Sequence, residues 1–472
     1  MNDIEALRAS LARAEQEHLL TFYERLLPTE QARLVEQIRS LDLDELPRLV
    51  KTYVRAAAPY RLPPRIEPAY VHKRQGEGWD IDAARARGER LLREGKAAAF
   101  TVAGGQGSRL GFNGPKGCFP TGAVTRKPLF RFFAEALAAT GKKYGRSVPW
   151  AIMTSPQNHE ATILCFRENE FFGLDENDVR FFPQGDMPSF DLRTGRILLA
   201  GPGTLATNPD GHGGSIKALK VSGVLDEFRA RGVEHLSYFQ VDNPIVRVMD
   251  PVFLGLHAGG EGSSGEMSSK MVPKAYPGEK LGVFCRVEGR TCVIEYSDLP
   301  REVQEERLPD GRLRFGAGSV AIHAMSLEFV ARLASDPAFS LPYHRAEKKV
   351  ACVDLATGER VEPSEPNAVK LERFVFDALP MCEASIVYET DRVEEFAPIK
   401  NAEGVDSHES SVQVQTLRAA RWLEQAGVKV ARKPDGTPDC VIELSPLTAL
   451  EPGDLAGRDL PVEVKSGDRV VL

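Results

Sequence analysis

Cysteine is scarce and scattered. Seven occur in 472 residues: Cys118, Cys165, Cys285, Cys292, Cys352, Cys382 and Cys440. The count is odd, the spacings are long and no C-x-x-C occurs. That argues against a zinc ribbon or a disulfide framework and for reduced thiols. No apolar run approaches the roughly 20 residues that span a bilayer. The first stretch, Met1 to Arg13, holds Asp3, Glu5, Arg8 and Arg13 and lacks the apolar centre of a signal peptide. A cytoplasmic protein with no membrane partner is expected. Repeats are missing too, so no left-handed β-helix is expected, and there is no low-complexity tail. Basic charge is not in excess: the net charge is −7. With no basic-aromatic stretch either, nucleic acid is not an expected partner. An anionic small molecule needs only a local basic pocket and stays open.

What is present is patterned for a large α/β core with flanking pieces. Residues 1–92 read as a helical N-terminal region. Ile4, Leu7 and Leu11 fall at helical spacing, as do Leu19, Phe22, Tyr23 and Leu26. Pro28 to Glu30 interrupts the pattern, and Thr29 is placed to cap the next helix. Ala58 to Pro68 carries four prolines and reads as extended linker. Residues 93–395 read as the core. Ala97–Val102, Trp150–Thr154 and His235–Val241 are short apolar runs of the kind buried on both faces of a sheet. Helical stretches such as Gly214–Arg231 lie between them, so an open, mostly parallel sheet is predicted. Gly282–Leu313 reads as an antiparallel insertion. Residues 396–472 read as a small α+β piece with a helix over Val412–Ala426 and a strand over Cys440–Leu444.

The strongest local feature follows the first core strand: Ala103-Gly104-Gly105-Gln106-Gly107-Ser108-Arg109-Leu110-Gly111, then Pro115-Lys116-Gly117. Glycines let backbone N–H groups come close to phosphate oxygens. Arg109 and Lys116 would neutralise the charge there. The spacing fits neither G-x-G-x-x-G nor the Walker loop. A plain tight turn would need neither cation. Asp242 ends a predicted buried strand, where ligands gather in open α/β sheets. A carboxylate there suits Mg²⁺; the alternative is an Asp that caps a following helix.

These motifs together resemble the UDP-sugar pyrophosphorylases, UTP:sugar-1-phosphate uridylyltransferases, and most closely the UDP-N-acetylglucosamine pyrophosphorylase group. The resemblance covers nearly the whole chain. It includes Trp150 to Ser155, Phe181 to Asp191, Asp210 to Gly214, Val241-Asp242-Asn243, Val293 to Asp298, Phe374 to Asp377 and Phe396 to Ala402. It implies a central Rossmann-like mixed sheet of the glycosyltransferase-A-like nucleotidyltransferase type. Gln184, by its own pattern a surface loop residue, then becomes the reader of the uracil edge.

By the same resemblance Gly104, Gly105, Gly107, His212 and Gly213 contact the nucleotide, and Asp242 holds Mg²⁺. Gly282, Glu295, Tyr296, Ser319, Phe374 and Phe376 line the sugar, with both phenylalanines on one face of a strand. Arg109, Lys116 and Lys400 are the catalytic cations. Two positions depart from the closest group. His212 stands where that group has Asn and where glucose-type enzymes carry G-H-G. Ser319 replaces an Asn that contacts the sugar. The implied substrates are UTP and a sugar 1-phosphate, N-acetylglucosamine 1-phosphate first. A glucose or broad-specificity enzyme and a catalytically inactive nucleotide-sugar sensor are the alternatives. A monomer or weak homo-oligomer is expected.

Overall fold

The computed structural model describes residues 3–56, 62–336 and 340–472. Residues 58–61 of the predicted linker, Pro59 among them, lie outside the described residues. The chain forms two compact units.

The first unit gathers residues 1–61, 185–214 and 341–375. Helix α1 (Asp3–Arg13) buries Leu7 and Leu11, and α2 (Pro28–Arg39) buries Leu34 and Ile38. Both faces join a core with Phe190, Leu199, Leu205, Val369 and Leu371. The break before α2 is not capped by Thr29. Pro28 opens the helix, and the Glu30 carboxylate accepts from the Leu27 N–H at 2.9 Å. Proline's fixed φ and missing N–H suit the first helical position.

The second unit holds residues 62–184, 215–340 and 376–472. Its sheet uses β1 (Val71–His72), β2 (Ala97–Val102), β3 (Trp150–Thr154), β4 (Val179–Pro183), β5 (His235–Gln240) and β6 (Met267–Pro273). It also uses β7 (Val283–Val287), β8 (Arg290–Ile294), β9 (Ala317–Ser326) and β10 (Val387–Glu389). The order is β1-β10-β6-β9-β5-β2-β3-β4, and the β7–β8 hairpin joins through β9. Strands β5, β2, β3 and β4 are parallel; β9 runs antiparallel to both β5 and β6. This is a mixed sheet. Residues 97–100 and 150–153 are at most 3% exposed, as two-sided burial predicted.

Helices cover the sheet. They are α3 (Ile81–Arg93), α4 (Leu129–Tyr144), α5 (His159–Glu168), α6 (Gly214–Val221), α7 (Val224–Ala230), α8 (Pro251–Gly259) and α9 (Leu327–Ser335). The single helix expected over Gly214–Arg231 is two. Gly223 takes φ 80° between them, outside the helical range. Helices α3 and α8 touch backbone to backbone. A Cβ on Gly88 would lie 1.8 Å from the Pro251 carbonyl oxygen.

Helix α10 (His408–Gln425) starts four residues before its predicted beginning, because the Ser407 hydroxyl accepts from the Ser410 N–H and caps it. It carries a small core of its own around Trp422, Leu423, Ile442 and Val464. The same segment grips the loop beyond Lys116. The buried Glu443 carboxylate accepts from the N–H groups of Val124 and Thr125 and from the Thr125 hydroxyl.

Candidate active site

Parallel strands present their carboxyl ends along one sheet edge, and two chemically rich loops leave from neighbours there. After β2 comes Ala103–Gly117; after β5 comes Val241-Asp242-Asn243. The Val241 N–H bonds the Val102 carbonyl at 3.1 Å, which ties the two exits together.

The first loop is folded on itself. The Gly107 N–H donates to Gly114 at 2.9 Å and the Lys116 N–H to Gly105 at 3.0 Å. Gly117 must be glycine, because a Cβ would sit 2.1 Å from the Phe130 ring. Gly104 faces Gln184, whose Oε1 lies 2.7 Å from where a Cβ would be. Gly105 opens toward the Lys116 stem, with Cε 3.9 Å from its Cβ position. Gln184 is buried rather than on a surface loop, and its N–H extends the β3 pairing to Thr154. Arg109 is exposed on the turn.

A residue the motif reading missed anchors this loop. Asn158 is fully buried; its Oδ1 accepts from the Ser155 N–H at 2.8 Å. Its Nδ2 donates to the carbonyls of Ala103 at 3.0 Å and Gly105 at 3.3 Å. It lies in the turn after β3, far from the glycines in sequence, and nothing local marks it. Asn158→Ala is expected to leave the Ala103 carbonyl unpaired and the Gly105 carbonyl with the Lys116 N–H alone, at about 1–3 kcal/mol. The expected result is a kcat/KM loss of about tenfold or more in a folded protein. Unchanged kinetics would remove Asn158 from the loop's support.

The second loop recruits the third cation. The Asn243 Nδ2 donates to the Glu395 carbonyl at 2.5 Å, and its Oδ1 accepts from the Ala397 N–H at 3.1 Å. The Ile399 N–H then bonds the Asp242 carbonyl at 2.9 Å. Lys400 follows directly, its N–H on the Asp406 carbonyl at 2.6 Å. Burial pushes the Asp406 carboxyl up; Lys400 opposes that and Asp242 adds to it, so the three charges share one locality. Asp406 was not singled out in the sequence.

A third cluster sits on the β7–β8 hairpin and β9. The Gly282 carbonyl accepts from the Ser319 N–H at 2.8 Å. A Cβ on Gly282 would lie 3.0 Å from the Glu295 Oε1. Gly282, Glu295 and Ser319 therefore meet, although 37 positions separate the first from the last. Tyr296 is next to them in sequence and 37% exposed. Because β9 is antiparallel to β5 with Tyr238 opposite His323, its earlier residues, Ser319 included, run toward the Asp242 end.

Phe374 and Phe376 do not alternate along a strand. The strand Ala368–Glu372 ends before them, and Val375–Met381 is a 3₁₀ segment. Phe376 is buried in the second unit. Phe374 belongs to the first, where its ring stacks between His212 at 5.1 Å and His344 at 4.2 Å. There the Asp210–Gly214 turn pairs with Arg373: the Gly213 N–H donates to the Arg373 carbonyl and the Arg373 N–H to that of Asp210, both at 2.8 Å. The His212 Nδ1 accepts from the Val375 N–H at 3.1 Å. Burial, then His344, lowers the His212 pKa to about 4, so the ring is neutral at physiological pH with its proton on Nε2.

A glycine-lined loop carrying Arg109 and Lys116 and a strand-end aspartate with Lys400 in its locality thus leave neighbouring strands at one sheet edge. The family profile described as UTP–glucose-1-phosphate uridylyltransferase matches residues 71–430. The chain belongs to this uridylyltransferase family. It is 34% identical to the UDP-N-acetylglucosamine pyrophosphorylase of Saccharomyces cerevisiae, over 89% of this chain and 88% of that one. It is 35% identical to the human UDP-N-acetylhexosamine pyrophosphorylase-like protein 1, over 94% and 92%. Among solved structures, the uridine diphosphate N-acetylglucosamine pyrophosphorylase of Trypanosoma brucei, in complex with an inhibitor, superposes with a TM-score of 0.79. That match has 27% identity and covers 100% of this chain and 98% of the other. The matched residues span both the glycine-lined loop and the mixed sheet. No helix among the described residues is long and apolar enough to cross a membrane.

Proposed function

We propose that the protein joins UTP to N-acetylglucosamine 1-phosphate, releasing pyrophosphate and the UDP-sugar. What supports this reading is that the glycine-lined loop bearing Lys116 and the loop bearing Asp242 leave neighbouring strand ends, with Lys400 in the locality of Asp242. A phosphate oxygen of the sugar phosphate attacks the α-phosphorus of UTP in line. The new P–O bond forms as the bond to the β-phosphate oxygen breaks, and the pair of electrons leaves with pyrophosphate. Two unit charges 4 Å apart repel by about 4 kcal/mol at an effective dielectric near 20. Positioning and charge neutralisation therefore supply most of the rate. Lys116 steadies the α-phosphate, Arg109 the leaving pyrophosphate, and Lys400 the incoming phosphate. Gly104, Gly105 and Gly107 hold the nucleotide and Gln184 reads the base.

Asp242, buried at a strand end with Asp406 in its field, is an oxygen donor set suited to Mg²⁺. Mg²⁺ would supply charge neutralisation on the phosphates. Gly282, Glu295, Tyr296, Ser319 and Phe376 are assigned to the sugar. His212, Gly213 and Phe374 keep the nucleotide and sugar roles the resemblance gives them. Seven cysteines without a disulfide support a cytoplasmic setting.

A second reading, glucose 1-phosphate, is favoured by His212 and by the shorter Ser319. Pyrophosphate release from UTP and Mg²⁺ with N-acetylglucosamine, N-acetylgalactosamine, glucose or galactose 1-phosphate decides. The expected result is at least a tenfold higher kcat/KM for N-acetylglucosamine 1-phosphate, within the roughly 10- to 200-fold that apolar fit provides. Preference for a plain hexose makes His212 and Ser319 the specificity determinants. No release with any of the four would overturn the reading.

A further inference from the structure

Away from the strand-end loops, the second unit encloses a cavity of about 80 Å³. Its walls are α4, the segment Pro244–Pro251, α10 and the stretch Leu444–Glu451. One water needs only about 10–15 Å³ of such space, so a small polyatomic ligand fits. The lining is apolar at Phe132, Val248 and Trp422 and polar at Lys143, Arg247, Gln415 and Arg418, with the carboxylates of Asp250 and Glu451 on the same wall.

These two arginines have few partners. Arg418 stacks over the Trp422 ring at 4.4 Å, and one Nη donates to the Ile245 carbonyl at 3.3 Å. Its Nε is buried without a hydrogen bond, with the Glu394 carboxylate 3.8 Å away. The Arg247 side chain, among the described residues, hydrogen-bonds to no protein group. The nearby carboxylates are already engaged. Asp250 accepts from Lys270 and the Val252 N–H. Glu395 accepts from Lys270, Thr390 and the Arg247 N–H. Glu451 accepts from Arg85 and Lys143. Burial lowers the Arg418 pKa to about 10, against Glu394, and Arg247 lowers it further: the two guanidiniums repel one another.

Arg247 lies in the field of Asp250, Glu395 and Glu451, but those carboxylates have their hydrogen-bond donors elsewhere, so the N–H groups of two guanidiniums are left facing one space. A guanidinium presents five N–H groups in a fork that fits tetrahedral and planar oxyanions. We propose that this cavity is a binding site for a small oxyanion of phosphate size, held between Arg247 and Arg418 and distinct from the nucleotide site. The walls place it in contact with function. Pro244 follows Asp242-Asn243 directly, and α10 begins eight residues after Lys400.

The test is calorimetric titration of the full chain with inorganic phosphate, against chloride at equal ionic strength. It is done in an Arg109→Ala/Lys116→Ala background, which removes phosphate binding at the glycine-lined loop. One phosphate is expected to bind in that background, and adding Arg418→Met is expected to weaken it by at least about tenfold. If Arg418→Met does not fold, Arg247→Met takes its place with the same expectation. Heats no larger than with chloride, or binding unchanged by the added substitution, would overturn the proposal and leave a cavity filled by water. Because the readout is binding in a background stripped of two catalytic cations, it stands or fails apart from the sugar assignment.

Discussion

Replacing Lys116 by alanine is expected to lower kcat by about 10²- to 10³-fold, as loss of a donor to developing charge does elsewhere, while the thermal midpoint stays where it is. Stability is unaffected because the side chain makes no ion pair or hydrogen bond among the described residues. Its backbone, not its ammonium, closes the loop through the Gly105 carbonyl at 3.0 Å, and alanine keeps that bond. The ammonium stem passes the open side of Gly105, where a phosphate oxygen has room to approach. A cation so placed acts on charge that builds as the α-phosphorus is attacked, so kcat falls more than KM rises. Steady-state pyrophosphate release gives both constants. Wild-type turnover in a folded Lys116→Ala protein would take Lys116 out of the reaction, and the inactive-sensor alternative predicts no turnover in either protein.

What the sequence exposed and what it hid differ in physical kind. The strands Ala97–Val102, Trp150–Thr154 and His235–Gln240 were legible because burial on both faces demands unbroken apolar runs. The glycine-lined loop was legible because a close backbone approach excludes Cβ atoms, and Gly117 against Phe130 shows how strictly. Asn158 was not legible. Its value lies in two carbonyls more than 50 positions away, and an Asn after a strand looks like any turn residue. The meeting of Gly282 with Ser319 depends on β9 pairing, which no local pattern announces. The same holds for the gathering of residues 185–214 and 341–375 with the N-terminal helices. Phe374 and Phe376 misled for a related reason. Alternating aromatics suit a strand, but here the strand stops at Glu372 and the chain turns into a 3₁₀ segment.

The largest effect on stability is expected at Lys270, which carries no sequence signal at all. Its side chain is fully buried, and its ammonium bonds Asp250 at 2.7 Å and both oxygens of Glu395 at 2.7 Å. Burial alone pushes the Asp250 carboxyl up, but Lys270 and Arg247 outweigh it and hold the pKa at about 2. A carboxyl depressed from 3.8 to about 2 adds stability that is complete above the unfolded value and is lost as pH falls from about 4 to 2. Lys270→Met removes the ammonium and leaves two buried carboxylates facing each other, at about 3–5 kcal/mol. The urea midpoint at pH 7 reads this directly. The gap to wild type is expected to narrow as pH falls from about 4 to 2, where wild type loses what the depressed Asp250 carboxyl contributes. Lys270→Met/Asp250→Asn/Glu395→Gln should recover most of the loss, since a neutral cluster avoids the stranded charges. The effect reaches the reaction because the Glu395 carbonyl accepts from Asn243 and its carboxylate from the Arg247 N–H. The loop that aims Asp242 and draws in Lys400 is thus built on the Lys270 triad. A Lys270→Met protein as stable as wild type at pH 7 would show that Arg247 alone neutralises both carboxylates.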